Sequence, residues 1–147
     1  MRSNEFPEHI SSLLKQINHW SESQSNIIAI ALVGSYARGE ATESSDVDLV
    51  IITSSPEAMI NNPAWIENFG RPHKIDYEDW GKIQSIRAHY PNGLEVEFGI
   101  TDINWLAQPI DEGTASVIKD GIQVVYEREE YLSTKLGEIF QSGDILW

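Results

Sequence analysis

Two aspartates separated by one residue, Asp46 and Asp48, carry the clearest chemical signal in this sequence. They belong to a segment that reads as a strand, where residues two apart share a face, so their side chains leave one side roughly 6.6–6.8 Å apart. Two carboxylates that point the same way repel each other unless a cation lies between them. Hard oxygen ligands suit Mg²⁺, which takes few carboxylates together with substrate phosphates. The pair therefore predicts a divalent metal site for phosphoryl transfer.

A glycine and a serine, Gly34 and Ser35, directly follow the apolar run Ile27–Val33, and ten residues separate them from this pair. The run predicts a buried strand, and a short helix is expected to follow from Tyr36. A helix N-terminus favours phosphate, and glycine lets the backbone approach a phosphate oxygen closely. Ser35 can donate its hydroxyl or cap the helix, and Arg38 lies near enough to offset phosphate charge. The segment therefore predicts a phosphate site beside the carboxylates.

The elements that position these residues alternate between helical and extended patterns. Apolar residues at helical spacing predict an N-terminal helix over about 7–20, residues 56–69 read as helical with an interruption, and a terminal helix is expected at about 129–140. Strands are predicted at Ile27–Val33, Asp46–Ile52, Lys82–His89, Leu94–Thr101 and Ile122–Tyr126, with a loop at Gly70–Lys74. This mixture predicts an α/β (α+β) fold with a mixed sheet flanked by helices.

The segment Pro91-Asn92-Gly93 is a strong signal for a hairpin between two of these strands. In the second arm, Glu95 and Glu97 share one face, and the apolar residues Val96 and Phe98 lie on the other. The two glutamates could serve a site on that face, and an ordinary solvent-exposed hairpin face would explain them as well.

The chain as a whole is acidic and lacks cysteine. Its 147 residues fit one domain over 1–147, and the lack of cysteine excludes disulfides and cysteine nucleophiles. The net charge of −13 comes from 23 acidic and 10 basic residues, so nucleic acid is a poor partner, since its binding depends on Lys and Arg. No signal peptide or membrane-spanning run is visible, so no membrane association is expected and the cytoplasm is the expected compartment.

The motif formed by these residues resembles the signature of the polymerase beta nucleotidyltransferase superfamily. The segments GSYARGEA and SDVDL look like its bacterial small-substrate and minimal members, and Ile118–Tyr126 is similar to the closing strand of those domains. The resemblance covers a catalytic core at about 27–126. It implies a polymerase-beta-type fold and a metal-dependent enzyme, which would move a nucleoside monophosphate from a nucleoside triphosphate, expected to be ATP, to an acceptor hydroxyl.

The resemblance also implies roles for particular residues, with Mg²⁺ or Mn²⁺ as the cofactor. Gly34 and Ser35 would hold the triphosphate, and Asp46 and Asp48 would bind metal and serve catalysis. The remaining nucleotide-binding candidates are Arg38 and Ser45. Arg38 would be explained equally well as a surface residue in an ion pair.

The family pattern asks for a third carboxylate on a neighbouring strand, and Glu95 and Glu97 are both catalytic candidates. Glu97 is preferred, also as a metal ligand, because it lies deeper in its strand between Val96 and Phe98. This carboxylate would ligate metal or take the proton of the acceptor hydroxyl.

The identity of the acceptor stays open at this point. The acidic balance favours a cationic small molecule such as an antibiotic. The alternative is a minimal nucleotidyltransferase antitoxin that binds or nucleotidylates a helical partner protein, because the chain lacks room for a helical substrate domain. A second copy in a homodimer could also supply that domain. A degenerate domain that binds nucleotide without turnover is a third interpretation, against which the intact Asp46 and Asp48 argue.

Overall fold

The computed structural model describes residues 6–143; residues 1–5 and 144–147 of the predicted domain lie outside the described residues. The strands are β1 (Ile27–Val33), β2 (Val47–Thr53), β3 (Lys74–Asp79), β4 (Gln84–His89), β5 (Glu95–Thr101) and β6 (Gln123–Glu127). The α-helices are α1 (Glu8–Glu22), α2 (Gly34–Ala37), α3 (Pro56–Asn61), α4 (Glu112–Asp120) and α5 (Tyr131–Ser142), and 3-10 helices cover Pro63–Phe69 and Ile103–Leu106.

These strands form one mixed sheet in the order β3-β4-β5-β2-β1-β6. Strands β2 and β5 are parallel, and every other neighbouring pair is antiparallel. Helices lie against both faces of the sheet, so the predicted fold class, a mixed sheet flanked by helices, is confirmed. Within the described part of the chain, no helix is long and apolar enough to cross a membrane.

Each face of the sheet has its own apolar core, because β1 and β2 are buried on both sides. On one face, Leu13 of α1 packs with Leu49 and Phe98. On the other face, Val50 packs with the 3-10 helix residue Trp105 and with helices α4 and α5. Leu49 therefore points into the first core, and Asp48 lies on the opposite face of β2, the face of the second core.

The helices of the second core leave part of that face open. These helices cover β1 and β2. Strands β3, β4 and β5, which carry charged residues, lie beyond the area that the helices cover. Helix α4 is fixed at its start by Asp111, whose carboxylate accepts a hydrogen bond from the backbone N–H of Thr114 at 2.8 Å. The exposed side of α4 thus lies beside the uncovered part of the sheet and forms one wall of a cleft there.

Several boundaries differ by one or more residues from those expected, among them the following four. Strand β3 begins at Lys74, where a loop was expected. Four of the six residues of this edge strand are charged, so its sequence pattern is a weak signal for a strand. Helix α2 begins at Gly34 rather than Tyr36, so Ser35 lies inside it and does not cap it. Strand β2 begins at Val47 rather than Asp46. Helix α5 begins at Tyr131 rather than residue 129, because the two preceding glutamates are left-handed, with φ of 52° and 56°.

Candidate active site

Three charged side chains form one row across the open part of the sheet. Asp48 on β2 is paired with Glu97 on β5 in the parallel ladder, and Glu97 is paired with Arg87 on β4 in the antiparallel ladder. Residues paired in this way project from the same face. The register of the ladders, which depends on tertiary structure, therefore places the second predicted aspartate directly beside the preferred glutamate.

The turn after β1 adjoins this row at Gly34. This residue has a φ of +74°, in the left-handed region, and a Cβ at this position would lie 2.3 Å from Oδ2 of Asp48. Side chains larger than hydrogen are excluded there by both the backbone conformation and the space. The backbone at the end of β1 and the Asp48 carboxylate are thus in direct contact, so a group bound by one also meets the other.

These residues line a cleft of about 730 Å³, within the usual range for small-molecule sites. Asp46, Asp48 and Glu97 lie on its wall with Gly34 and Arg38. Its other lining residues include an exposed tryptophan, a lysine and acidic residues near α4: Trp80, Lys82, Asp111 and Asp120. The cleft thus joins a carboxylate cluster to a wider region with aromatic and acidic walls.

Another cavity, of about 500 Å³, lies between α1 and the edge strand β6. Its lining includes Phe6, Leu14 and Val125, with Lys15 as its charged residue. None of its lining residues within 6–143 is a carboxylate, whereas the cleft at Asp48 collects several, so that cleft is the candidate active site.

Burial and mutual repulsion raise the pKa of two carboxylates of the cleft, Asp48 and Glu97. Burial, followed by the negative charges of Glu97 and Asp46, raises the pKa of Asp48 to about 6. Burial is also the main cause that raises the pKa of Glu97, partly offset by the positive charge of Arg87. Perturbed carboxylates in a cleft are typical of functional sites. The site therefore has more negative charge than the protein itself neutralises, which favours a bound cation.

Arg87 is the functional residue that the sequence predictions lack. Its Nη1 contacts Oδ2 of Asp46 and its Nη2 contacts Oε1 of Glu97, while Nε lies 3.3 Å from Oε1 of Glu78. Burial alone would lower the pKa of Arg87, but the hydrogen bond to Asp46 and the charges of Glu97 and Asp46 raise it above its ordinary value. Counting back along the hairpin from its turn pairs residue 87 with residue 97, so the signal was present in the sequence.

The other predicted nucleotide-binding residues lie around α2 and the loop before β2. Ser35 is in α2. Arg38 follows that helix, lines the cleft and pairs with Glu40. The hydroxyl of Ser45 accepts a hydrogen bond from the backbone N–H of Thr42 at 2.8 Å, which stabilises the loop. Ser35 and Arg38 are thus near the Gly34 turn, while Ser45 has a structural partner.

Glu95 and Glu97 differ in their partners although they share a strand face. Glu95 lies 3.0 Å from Nδ1 of His89, and Nε2 of the same ring lies 2.8 Å from Oδ2 of Asp76. Glu95 lines a separate cavity of about 110 Å³, whereas Glu97 lines the main cleft. The structure therefore brings Glu97, rather than Glu95, together with both aspartates.

The carboxylates suit a divalent cation chemically, because Mg²⁺ and Mn²⁺ prefer oxygen ligands. Within residues 6–143, however, no three His, Cys, Asp or Glu side chains are arranged as a ready-made metal site. Arg87 lies between two of the three candidate ligands, Asp46 and Glu97, and contacts both. The donor types therefore suit a divalent cation, and in this arrangement two of the three carboxylates are engaged by the guanidinium.

The chain matches one protein family over more than half of its length: residues 13–108 match the nucleotidyltransferase domain. Among solved structures, an aminoglycoside 6-adenyltransferase from Bacillus subtilis superimposes with a TM-score of 0.53 and 14% identity, over 68% of this chain and 37% of that chain. The Cid1 poly(U) polymerase superimposes with a TM-score of 0.51 and 18% identity, over 82% of this chain and 37% of that chain.

At these identities the likeness shows the fold alone, and the chain spans 37% of the length of each of these two proteins. A toxin–antitoxin structure with AMP-PNP aligns over 97% of this chain and 87% of that chain, with a TM-score of only 0.41 and 11% identity. No curated protein sequence matches the chain.

Proposed function

Because this chain belongs to the nucleotidyltransferase domain family, we propose that it transfers a nucleoside monophosphate from a nucleoside triphosphate to a hydroxyl group of a cationic small molecule. One observation carries the proposal. Gly34, directly after β1, lies against Asp48 on β2, which is paired with Glu97 on β5, and all three residues line one cleft. A close backbone approach and clustered carboxylates are what a metal-bound triphosphate requires.

The phosphates would lie against the turn at Gly34, where the lack of a side chain lets them approach the backbone. Ser35 offers a hydroxyl donor there, and Arg38 on the cleft wall offers positive charge. Asp46, Asp48 and Glu97 would hold Mg²⁺ or Mn²⁺, which when bound neutralises phosphate charge and polarises the α-phosphate.

In the transfer step, the acceptor oxygen forms a bond to the α-phosphorus. The bond between that phosphorus and the oxygen bridging to the β-phosphate breaks, and pyrophosphate leaves. The proton of the acceptor hydroxyl passes to the carboxylate of Glu97. Burial raises the pKa of Glu97 in the metal-free protein, and a bound cation would lower it again, so Glu97 can take the proton only where Asp46 and Asp48 carry most of the metal ligation.

The charge of the cleft favours a cationic acceptor. Five acidic side chains line it, against three basic ones: Asp46, Asp48, Glu97, Asp111 and Asp120, against Arg38, Lys82 and Arg87. Two of the basic side chains already pair with acids of the cleft, Arg87 with Asp46 and Lys82 with Asp111, the latter at 2.8 Å. Trp80, 59% exposed at the cleft, offers a ring face on which a cation can lie.

The test is incubation with α-labelled nucleoside triphosphates, Mg²⁺ and separate panels of cationic and uncharged hydroxyl-bearing small molecules, with purified proteins as a further arm. We expect label transfer to a cationic small molecule with release of pyrophosphate. Transfer is lost in Asp48→Asn and kept in Glu67→Gln, which removes one charge from an exposed residue outside the cleft. Label on proteins alone, or equal activity of wild type and Asp48→Asn, would contradict the proposal.

A further inference from the structure

Arg87 occupies the centre of the carboxylate cluster as its internal counter-charge. Its guanidinium contacts Asp46 and Glu97 with its two terminal nitrogens and Glu78 with Nε, and its side chain is only 22% exposed. Planar guanidinium groups suit such multiple carboxylate contacts. A side chain with three acidic partners from three different segments is held firmly in the metal-free protein.

The contacts of Arg87 engage two of the carboxylates assigned above to the metal. Oδ2 of Asp46 and Oε1 of Glu97 both accept from the guanidinium, and Oε2 of Glu97 accepts from the Ser85 hydroxyl at 3.4 Å. A divalent cation that bound the same carboxylates would meet a positive charge at hydrogen-bond distance from its ligands. Two cations so close repel each other strongly in a partly buried site.

We propose that Arg87 is a resident counter-cation that competes with the divalent metal, so that it must leave Asp46 and Glu97 before the metal binds. The inference rests on the proposed function, because it takes these two residues as metal ligands. Arg87 is thus a positioning residue, which keeps the carboxylates together without metal and lowers the apparent metal affinity.

The edge strand β3 offers the displaced guanidinium a partner. Glu78 already lies 3.3 Å from Nε of Arg87. The neighbouring acid on β3, Asp76, is paired with His89 and Lys74 instead. Arg87 can therefore give up Asp46 and Glu97 while it keeps its contact with Glu78, so its charge is not left unpaired.

The experiment measures Mn²⁺ binding without nucleotide, by the loss of the free-ion electron paramagnetic resonance signal and by calorimetry. We expect Arg87→Gln to bind Mn²⁺ on the order of tenfold more tightly than wild type. Arg87→Lys keeps the charge but cannot contact both carboxylates in a bidentate manner, so its affinity falls between the two. Lys74→Gln is the charge-matched control on β3, paired with Asp76 rather than with the cluster, and stays within about twofold of wild type.

Thermal unfolding gives a second readout that needs no activity. Arg87→Gln leaves the carboxylates without their counter-charge, so it melts at a lower temperature in EDTA, and saturating Mn²⁺ raises its melting temperature by more than that of wild type. Arg87→Lys keeps the test decisive if Arg87→Gln does not fold.

The outcomes separate this inference from the function on which it rests. If wild type and both Arg87 variants bind Mn²⁺ with equal affinity, or the variants bind it more weakly, the competition is refuted and the metal site stands. If none of the proteins binds Mn²⁺, the metal site of the proposed function is itself refuted, and the inference with it.

Discussion

Replacing Asp48 with asparagine is expected to stabilise the metal-free protein while it abolishes nucleotide transfer. Asparagine has nearly the same shape as aspartate, so the contact with Gly34 and the packing around it are kept. The change removes only the charge, which burial and the negative charges of Glu97 and Asp46 disfavour. A site whose function needs clustered carboxylates thus reduces the stability of the protein without metal.

The magnitude follows from the pKa of Asp48, which burial raises from 3.8 to about 6. Because a change of one in pKa corresponds to about 1.36 kcal/mol, ionised Asp48 lowers the free energy of unfolding by about 3 kcal/mol above pH 7. The folded protein binds more protons here than the unfolded chain between about pH 4 and pH 6, so stability falls as pH rises through that range. At pH 4.5 the difference between variant and wild type shrinks to about 1 kcal/mol.

The assay is urea unfolding in EDTA at pH 7.5 and pH 4.5, read by circular dichroism, with the denaturant slope checked for constancy. Glu67→Gln, which removes a charge from an exposed residue, should change the free energy of unfolding by less than about 0.5 kcal/mol. An Asp48→Asn variant no more stable than wild type at pH 7.5, or a gain that does not shrink at pH 4.5, would refute the reasoning.

Three further outcomes are expected. Gly34→Ala places a Cβ 2.3 Å from Asp48 at a φ of +74°, so it should lower the free energy of urea unfolding by roughly 1–3 kcal/mol and weaken Mg²⁺–nucleotide binding measured by calorimetry. The control Gly137→Ala in α5, with open space around it, should not destabilise the protein. Equal stability of the two variants would contradict the strain at Gly34. Glu97→Gln should lower kcat roughly 100-fold or more with little change in nucleotide affinity. Glu95 is paired with His89 outside the cleft, so Glu95→Gln should lower kcat less than tenfold. The reverse order in steady-state kinetics would exchange their roles. The net charge of −13 predicts no submicromolar binding to duplex or single-stranded nucleic acid at physiological salt, and a shifted band in a gel assay would refute this.

Local patterns in the sequence determined much of the fold. The apolar run Ile27–Val33 is β1 over the whole predicted length, and the Pro91-Asn92-Gly93 turn joins β4 and β5 as predicted. The opposite faces taken by Asp48 and Leu49 in β2 also follow from local geometry, because a strand has a period of two whichever strand it pairs with. These features depend on residues that are close together in the sequence, so they can be predicted from the sequence without knowledge of the fold.

Apart from the β4–β5 hairpin, the partners of the strands were decided by the tertiary structure. The parallel pairing of β2 with β5 puts Glu97 beside Asp48, and the hairpin register then adds Arg87. Glu95 shares the face of Glu97, but its neighbour across the ladder is His89, so the choice between the two glutamates could not be made from alternation. Strand β3 and its Glu78 were likewise not predicted, because the pairing that makes this charged segment a strand comes from β4. Alternation fixes the side of the sheet on which a residue lies, whereas the ladder register, set by contacts distant in sequence, fixes which residue lies next to it.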